Sequence, residues 1–220
     1  MVATGVQYRT LGLDSTERLT GRGVYCGASM SEAIACTDED VFIIGAGNSA
    51  GQAALHLADY ARRVTMLVRG DTLTKSMSMY LVERIEAHDT IRGRLHTELQ
   101  DAHGESCLER LTPVDNRTHV TETVDASAVF LFIGARPRMD WLGDVVARDP
   151  RGFVFTGPDL KTHGRLTGWP EARDPFLLET SVPGVFASGD VRHASVKRVA
   201  AAVGEGSVTI SAVHEYLAAL

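Results

Sequence analysis

The stretch Val41-Phe42-Ile43-Ile44-Gly45-Ala46-Gly47-Asn48-Ser49-Ala50-Gly51 decides how this chain is read. Its first four residues form an apolar run, largely β-branched and without polar alternation, the pattern of a strand covered on both faces. Gly45 and Gly47 stop it. Apolar residues then recur at Ala50, Ala53, Ala54, Leu57, Ala58 and Ala61, spacings of 3, 4, 7, 8 and 11 that share one helix face. Val64-Thr65-Met66-Leu67-Val68 returns as a second buried strand. Together these form a βαβ unit, for which a right-handed crossover is expected.

The turn reads Gly45-x-Gly47-x-x-Ala50. In a dinucleotide site the first Gly permits the tight turn and the second lets backbone approach a pyrophosphate. A small third residue allows close helix–strand packing, and the helix N-terminal N–H groups face the phosphates. The same residues fit a second chemistry. Gly47-Asn48-Ser49-Ala50-Gly51 matches the Gly-x-Ser-x-Gly elbow of a serine hydrolase, and Asp190 and His214 follow in the required order. Against the hydrolase, an elbow has no use for Gly45. The pairs His103-Gly104 and His163-Gly164 also follow the serine, whereas an oxyanion loop precedes it.

The end of the second strand bears on which dinucleotide is bound. An acidic residue about 20 positions beyond the glycines accepts the ribose 2′-OH of NAD, whereas an Arg there meets the 2′-phosphate of NADP. Arg69 follows Val68 directly, at 69 − 45 = 24 positions, and Lys75 lies close by with Asp71 between them. The pattern favours NADP.

Further along the chain, Met77 to Ala87 reads as a helix and residues 91 to 124 as an antiparallel meander. Ala128 to Ile133 is a third buried strand, stopped by Gly134 and Pro137, and a hinge is placed near 134–137. The stretch Asp149 to Asp174 has loop composition, with Gly152 to Phe155 a possible strand inside it. Val185 to Ser188 is a strand ending at Gly189-Asp190, and residues 196 to 219 read as helix broken at Gly204 and Gly206.

Composition excludes several classes. The 220 residues are 44% hydrophobic and 23% charged, ordinary for a globular chain. A net charge of −6 and 6% aromatics supply neither a basic field nor a stacking platform, so no nucleic-acid partner is expected. No apolar run approaches the roughly 20 residues that span a bilayer, and Met1 to Arg9 has no secretory pattern. Cys26, Cys36 and Cys107 are an odd, irregular set and form no Cys-x-x-Cys, which fits a cytoplasmic location. His88, His96 and His103, at spacings of eight and seven, match no zinc motif.

Taken in order, several segments resemble the low-molecular-weight thioredoxin reductase family of FAD- and NADPH-dependent pyridine nucleotide–disulfide oxidoreductases. They are Ala3-Thr4-Gly5, Gly21-Arg22-Gly23-Val24, Ile44 to Ala50, Leu67-Val68-Arg69, Phe132-Ile133-Gly134, Thr180 to Val191 and Lys197-Arg198-Val199. The most specific is Thr180-Ser181-Val182-Pro183-Gly184-Val185-Phe186-Ala187-Ser188-Gly189-Asp190-Val191. The resemblance implies an α/β chain with a Rossmann-like, three-layer NADPH-binding domain at 10–134, inserted into a partial FAD-binding domain formed by 1–9 and 135–220. It implies NADPH at Gly45, Gly47, Asn48, Ser49, Ala50, Arg69 and Lys75. It implies FAD at Thr4, Gly5, Gly189, Asp190, Lys197, Arg198 and Val199, and cofactor contact at Ile133 and Gly134. Asp190 would hydrogen-bond the ribityl chain, and the backbone at Arg198-Val199 would face the flavin ring. Hydride would pass from NADPH to flavin and on to an unidentified electron acceptor, in a homodimer.

Two departures qualify that expectation. The family's redox Cys-x-x-Cys falls near Gly27-Ala28-Ser29-Met30, where Gly27 and Met30 replace its cysteines. Neither supplies the thiolate that disulfide exchange needs. A Cys26–Cys36 pair is the remaining redox candidate. The family also begins with a strand and Gly-x-Gly-x-x-Gly for the FAD pyrophosphate, ahead of the point matched by Ala3-Thr4-Gly5. A noncatalytic NADP(H)-binding fragment unable to retain FAD is therefore an alternative expectation.

Overall fold

The computed structural model describes residues 1–162, 169 and 172–219. In chain order its first elements are β1 (Val6–Tyr8), α1 (Asp14–Arg18), β2 (Val24–Tyr25), α2 (Met30–Ala35), β3 (Asp40–Ile44), α3 (Asn48–Ala58), β4 (Arg63–Leu67) and α4 (Met79–Glu86). There follow β5 (Ile91–Arg94), β6 (Thr97–His103), β7 (Arg110–Asp115), β8 (Val124–Asp125), β9 (Ala128–Leu131), β10 (Ala135–Pro137), α5 (Pro158–Thr162) and α6 (Val199–Ala218). Short 3-10 turns occupy Asp140–Leu142 and Gly189–Val191. The chain divides into two compact units, Thr10–Gly134 and Met1–Arg9 with Ala135–Leu220.

The unit Thr10–Gly134 is built on a five-stranded parallel sheet in the order β2-β9-β3-β4-β5. Alternation along each strand feeds two cores, because successive side chains point to opposite faces. Val41, Ile43, Val64, Met66, Ala128 and Phe130 face the helices, meeting Ala50, Ala54 and Leu57 of α3 and Leu81, Val82 and Ile85 of α4. Phe42, Ile44, Leu67, Val129 and Leu131 face the other way, against Leu99, Ala102 and Leu111 of a three-stranded antiparallel sheet, β6-β7-β8. The result is three layers: helices, parallel sheet, small antiparallel sheet. Each fully buried Leu or Phe contributes on the order of 1.5–3 kcal/mol from removal of apolar surface.

In the unit formed by Met1–Arg9 and Ala135–Leu220, β1 pairs antiparallel with β10. A small core gathers Val2, Met139, Val146, Val154, Ala187 and Val191. The same unit holds a buried ion pair. Glu179, fully buried, takes two bonds from the Arg173 guanidinium at 2.7 and 2.9 Å, and accepts from Phe176 N and Gly184 N at 2.9 and 2.8 Å.

Several expectations are corrected. Ile91–Arg94 is not part of a meander: it pairs parallel with β4, completing a second βαβ crossover through α4. The antiparallel part begins at Thr97. The strand at 128 ends at Leu131, two residues early. Gly204 and Gly206 do not break α6, which runs for 20 residues and tolerates the roughly 1 kcal/mol cost of each glycine. Residues 152–155 and 185–188 form only isolated bridges, Val154 with Arg148 and Arg192, Ala187 with Val2, and Phe186 with Glu179. The stretch expected to be loop contains α5. Its remainder at 163–168 and 170–171, with the His163-Gly164 pair, lies outside the described residues.

Candidate functional site

In the unit Thr10–Gly134 the sheet order reverses at β3, whose chain neighbour β4 lies on one side and β9 on the other. The carboxyl ends of β3 and β9 therefore bound the crevice in which open α/β sheets bind ligands. The glycine turn sits there. Gly45 has φ +143°, and a β-carbon at this position would come within 2.5 Å of the Phe132 carbonyl oxygen at the end of β9. Gly45 is thus demanded by the protein itself. Gly47 is not: its φ is −87°, and a β-carbon there would have only Ser76 O within 4 Å, at 3.9 Å. Nothing inside the protein requires a glycine at 47, and the space beside it is open.

Gly47 is the N-cap of α3 and supplies no side-chain cap to the first N–H groups of the helix, the arrangement in which a helix N-terminus can receive an anion. Ala50 is fully buried, the small residue that close helix–strand packing needs. Gly51 serves packing too, since a β-carbon there would meet Met77 Sδ at 2.8 Å. The loop after β4 is stapled over the turn: Ser76 Oγ donates to Ala46 O at 2.8 Å, and Ser78 N donates to Asn48 Oδ1 at 2.7 Å. Asn48, expected at a cofactor, thus holds the loop. Sequence reading missed this staple because its two halves lie 30 residues apart.

Arg69 and Lys75, on either side of that loop, are both exposed. Arg69 Nε lies 3.8 Å from Glu98 Oε1, and Lys75 Nζ lies 2.9 Å from Asp71 Oδ1. The hydrogen bond from Lys75 holds the Asp71 carboxyl below its ordinary range. Ile133 and Gly134 follow Phe132, whose N–H donates to Ile44 O at 2.8 Å.

The hydrolase elbow is not formed. An elbow serine sits on the strained turn itself, whereas Ser49 lies within α3. Among the described residues the non-glycine positions with positive φ are Asp38, His96, His119 and Ala194.

At the position expected for a dithiol, Gly27 has φ +125° and Met30 opens α2, which Ser29 and Glu32 cap reciprocally. Cys26 and Cys36 are free thiols, not a disulfide. Burial pushes both upward, and the Glu39 and Glu32 carboxylates add to it at Cys36, so the nucleophilic thiolate is disfavoured at each.

In the other unit the structure gathers most of the residues expected at flavin. Val2 bridges Ala187 in parallel, so Thr4-Gly5 and Gly189-Asp190 leave the bridge in the same direction. Lys197 Nζ donates to Asp190 O at 3.0 Å and to Ser195 Oγ at 2.8 Å, and it stacks 4.5 Å over the Phe153 ring. Its partial burial lowers the ammonium from its usual range. Arg198 is the N-cap of α6 and makes no side-chain cap bond; Arg198 and Val199 are both exposed. Glu205, which sequence reading passed over, anchors this turn: Oε2 accepts from Gly189 N and Oε1 from Arg192 Nη1, both at 2.6 Å. Its sign in the sequence is only an acid between Gly204 and Gly206 in the apolar first half of α6.

Among the described residues no helix is long and apolar enough to cross a membrane, and no cluster of three metal-ligating side chains occurs.

The comparisons with known proteins agree with this geometry. Residues 1–206 match the family model described as pyridine nucleotide-disulphide oxidoreductase. A thioredoxin reductase of Streptomyces clavuligerus is 32% identical over 222 residues, spanning 100% of this chain and 62% of the relative. A 34.2 kDa protein in the rubredoxin operon of Clostridium pasteurianum is 26% identical, spanning 99% and 64%. The crystal structure of thioredoxin reductase from Streptococcus pyogenes superposes with a TM-score of 0.74 at 27% identity, covering 99% of this chain and 65% of that one. The chain therefore spans a little under two thirds of the length of these relatives. On this evidence the chain belongs to the pyridine nucleotide-disulphide oxidoreductase family, among its thioredoxin reductase-like members.

Proposed function

We propose that this chain binds NADPH at the Gly45–Ala50 turn and serves an NADPH:FAD oxidoreductase that works without a Cys-x-x-Cys dithiol. The observation that carries the reading is the contrast between Gly45, which the fold requires, and Gly47, which the fold does not require and which leaves open space beside the α3 N-terminus. The α3 N-terminus faces the pyrophosphate, while Arg69 and Lys75 supply charge for the ribose 2′-phosphate. Flavin, when bound, would supply the hydride-accepting ring between NADPH and an unidentified electron acceptor. Asp190 would accept from a ribityl hydroxyl, and the uncapped α6 N-terminus with Lys197 would supply positive charge for the flavin ring. Thr4 and Gly5, in the same unit as Asp190, are assigned to the same group. A homodimer and a cytoplasmic location belong to the same proposal.

One observation favours a narrower reading. Arg198 and Val199 are both exposed, so flavin held by this unit would lie largely against solvent, and an NADP(H)-binding chain that does not retain FAD follows. The test is the visible spectrum of the protein after incubation with FAD and desalting, then anaerobic addition of NADPH. Retained flavin that NADPH bleaches supports the oxidoreductase. A colourless protein that still binds NADP+ supports the narrower reading, and one that binds neither nucleotide overturns both.

A further inference from the structure

The cations at the rim of the glycine turn already have anionic partners. Arg69 Nε faces Glu98 Oε1 at 3.8 Å, Lys75 Nζ faces Asp71 Oδ1 at 2.9 Å, and Arg94, at the end of the neighbouring strand β5, pairs with Glu122. Around Arg69 the backbone is pinned. Asn116 Nδ2 donates to Arg69 O at 2.9 Å, His96 N donates to Gly70 O at 2.9 Å, and Thr97 N donates to Val68 O at 3.0 Å. The exposed guanidinium therefore extends from a pinned backbone, and the carboxylate it pairs with is Glu98, rooted in β6 opposite Val114. The contact is single and long, not a bidentate fork, so an incoming phosphate displaces it readily.

We infer that Glu98 is a specificity-determining residue of the nucleotide site, holding Arg69 at rest and lowering the preference for a ribose 2′-phosphate over a 2′-hydroxyl. The inference rests on the proposed dinucleotide reading of the turn. Its physics is a charge balance. A 2′-phosphate that reaches Arg69 arrives near a carboxylate and is repelled by it. A 2′-hydroxyl carries no charge to repel and can donate to that same oxygen. Glu98 acts through Arg69, so it is a positioning residue, and its effect has an electrostatic signature that a packing role lacks.

The experiment is calorimetric titration of the wild-type chain and of Glu98→Gln with NADP+ and NAD+, at low ionic strength and again in 0.5 M salt. The expected result is NADP+ binding tightened by roughly three- to tenfold in the variant, NAD+ binding unchanged or weaker, and a difference that shrinks in high salt. Glu98→Ala removes the same charge from the same exposed site and should move the ratio in the same direction. An unchanged ratio of the two dissociation constants at low salt, or a salt-independent change shared by both nucleotides, would overturn the inference. A wild-type chain that binds neither nucleotide fails before any variant is made, and it removes the dinucleotide reading itself.

Discussion

Gly45 lies against the backbone of Phe132: the carbonyl oxygen of Phe132 stands 2.5 Å from where a β-carbon of residue 45 would be. This contact joins the carboxyl ends of β3 and β9 and so fixes the width of the crevice between them. Gly45 also has φ +143°, a conformation that L side chains rarely adopt. Gly45→Ala is therefore expected to destabilise the unit by about 2–4 kcal/mol through combined backbone strain and overpacking. Urea unfolding measures it, and a loss within about 0.5 kcal/mol would contradict the account.

The selectivity claim rests on charge. Arg69→Ala removes the guanidinium assigned to the 2′-phosphate, and a charge-assisted bond of about 1.5–3 kcal/mol corresponds to a loss of roughly ten- to a hundredfold. The loss should fall on NADPH and leave NADH nearly untouched. Equal weakening of the two would remove Arg69's role.

Acid sensitivity should come from the unit that holds Glu179. Burial works to raise the Glu179 carboxyl, but the Arg173 guanidinium and the N–H groups of Gly184 and Phe176 outweigh it and hold the group below its ordinary range. Asp149 behaves alike: burial opposes, while His193 and the N–H groups of Phe153 and Arg151 prevail. The folded state thus binds fewer protons than the unfolded one. These groups stabilise fully above the ordinary carboxylate pKa, about 4, and their contribution is lost as the pH falls through the depressed values. The urea midpoint should drop below about pH 4, and Glu179→Gln should flatten that drop while costing about 3 kcal/mol at neutral pH. A wild-type midpoint unchanged down to pH 3 would refute this.

Glu205 links α6 to the Gly189–Val191 turn. Glu205→Ala leaves the Arg192 guanidinium, with only 14% of its side chain exposed, without this carboxylate, and unties Gly189 N. A loss of about 2–3 kcal/mol is expected by thermal or urea unfolding. Unchanged stability would mean the triad is ornamental to the fold.

The parallel sheet was legible because each of its three central strands announces itself. Val41–Ile44, Val64–Val68 and Ala128–Ile133 are continuous apolar runs, and periodicity alone placed α3 between the first two. β5 was not legible. Ile91-Arg92-Gly93-Arg94 is polar except at Ile91, because as an edge strand only part of it is covered, and it resembles the start of the meander that follows. The continuity of α6 was hidden for a different reason, since glycine lowers helix propensity but does not forbid the conformation. In the candidate site, Gly45, Gly47, Ala50 and Arg69 follow from local spacing. Glu98 and the Ser76 and Ser78 staples depend on tertiary approach across some 30 residues, which no local pattern encodes.

The most direct measurement is NADPH affinity, by fluorescence titration, for the wild type and Gly47→Ala, with the melting temperature of each recorded alongside. Position 47 accepts a methyl group without conflict inside the protein, so folding should be unaffected. The account predicts equal melting temperatures and at least a tenfold loss of NADPH affinity, about 1.4 kcal/mol. Equal affinity in the two proteins would contradict it, because Gly47 would then not be where the backbone meets the nucleotide.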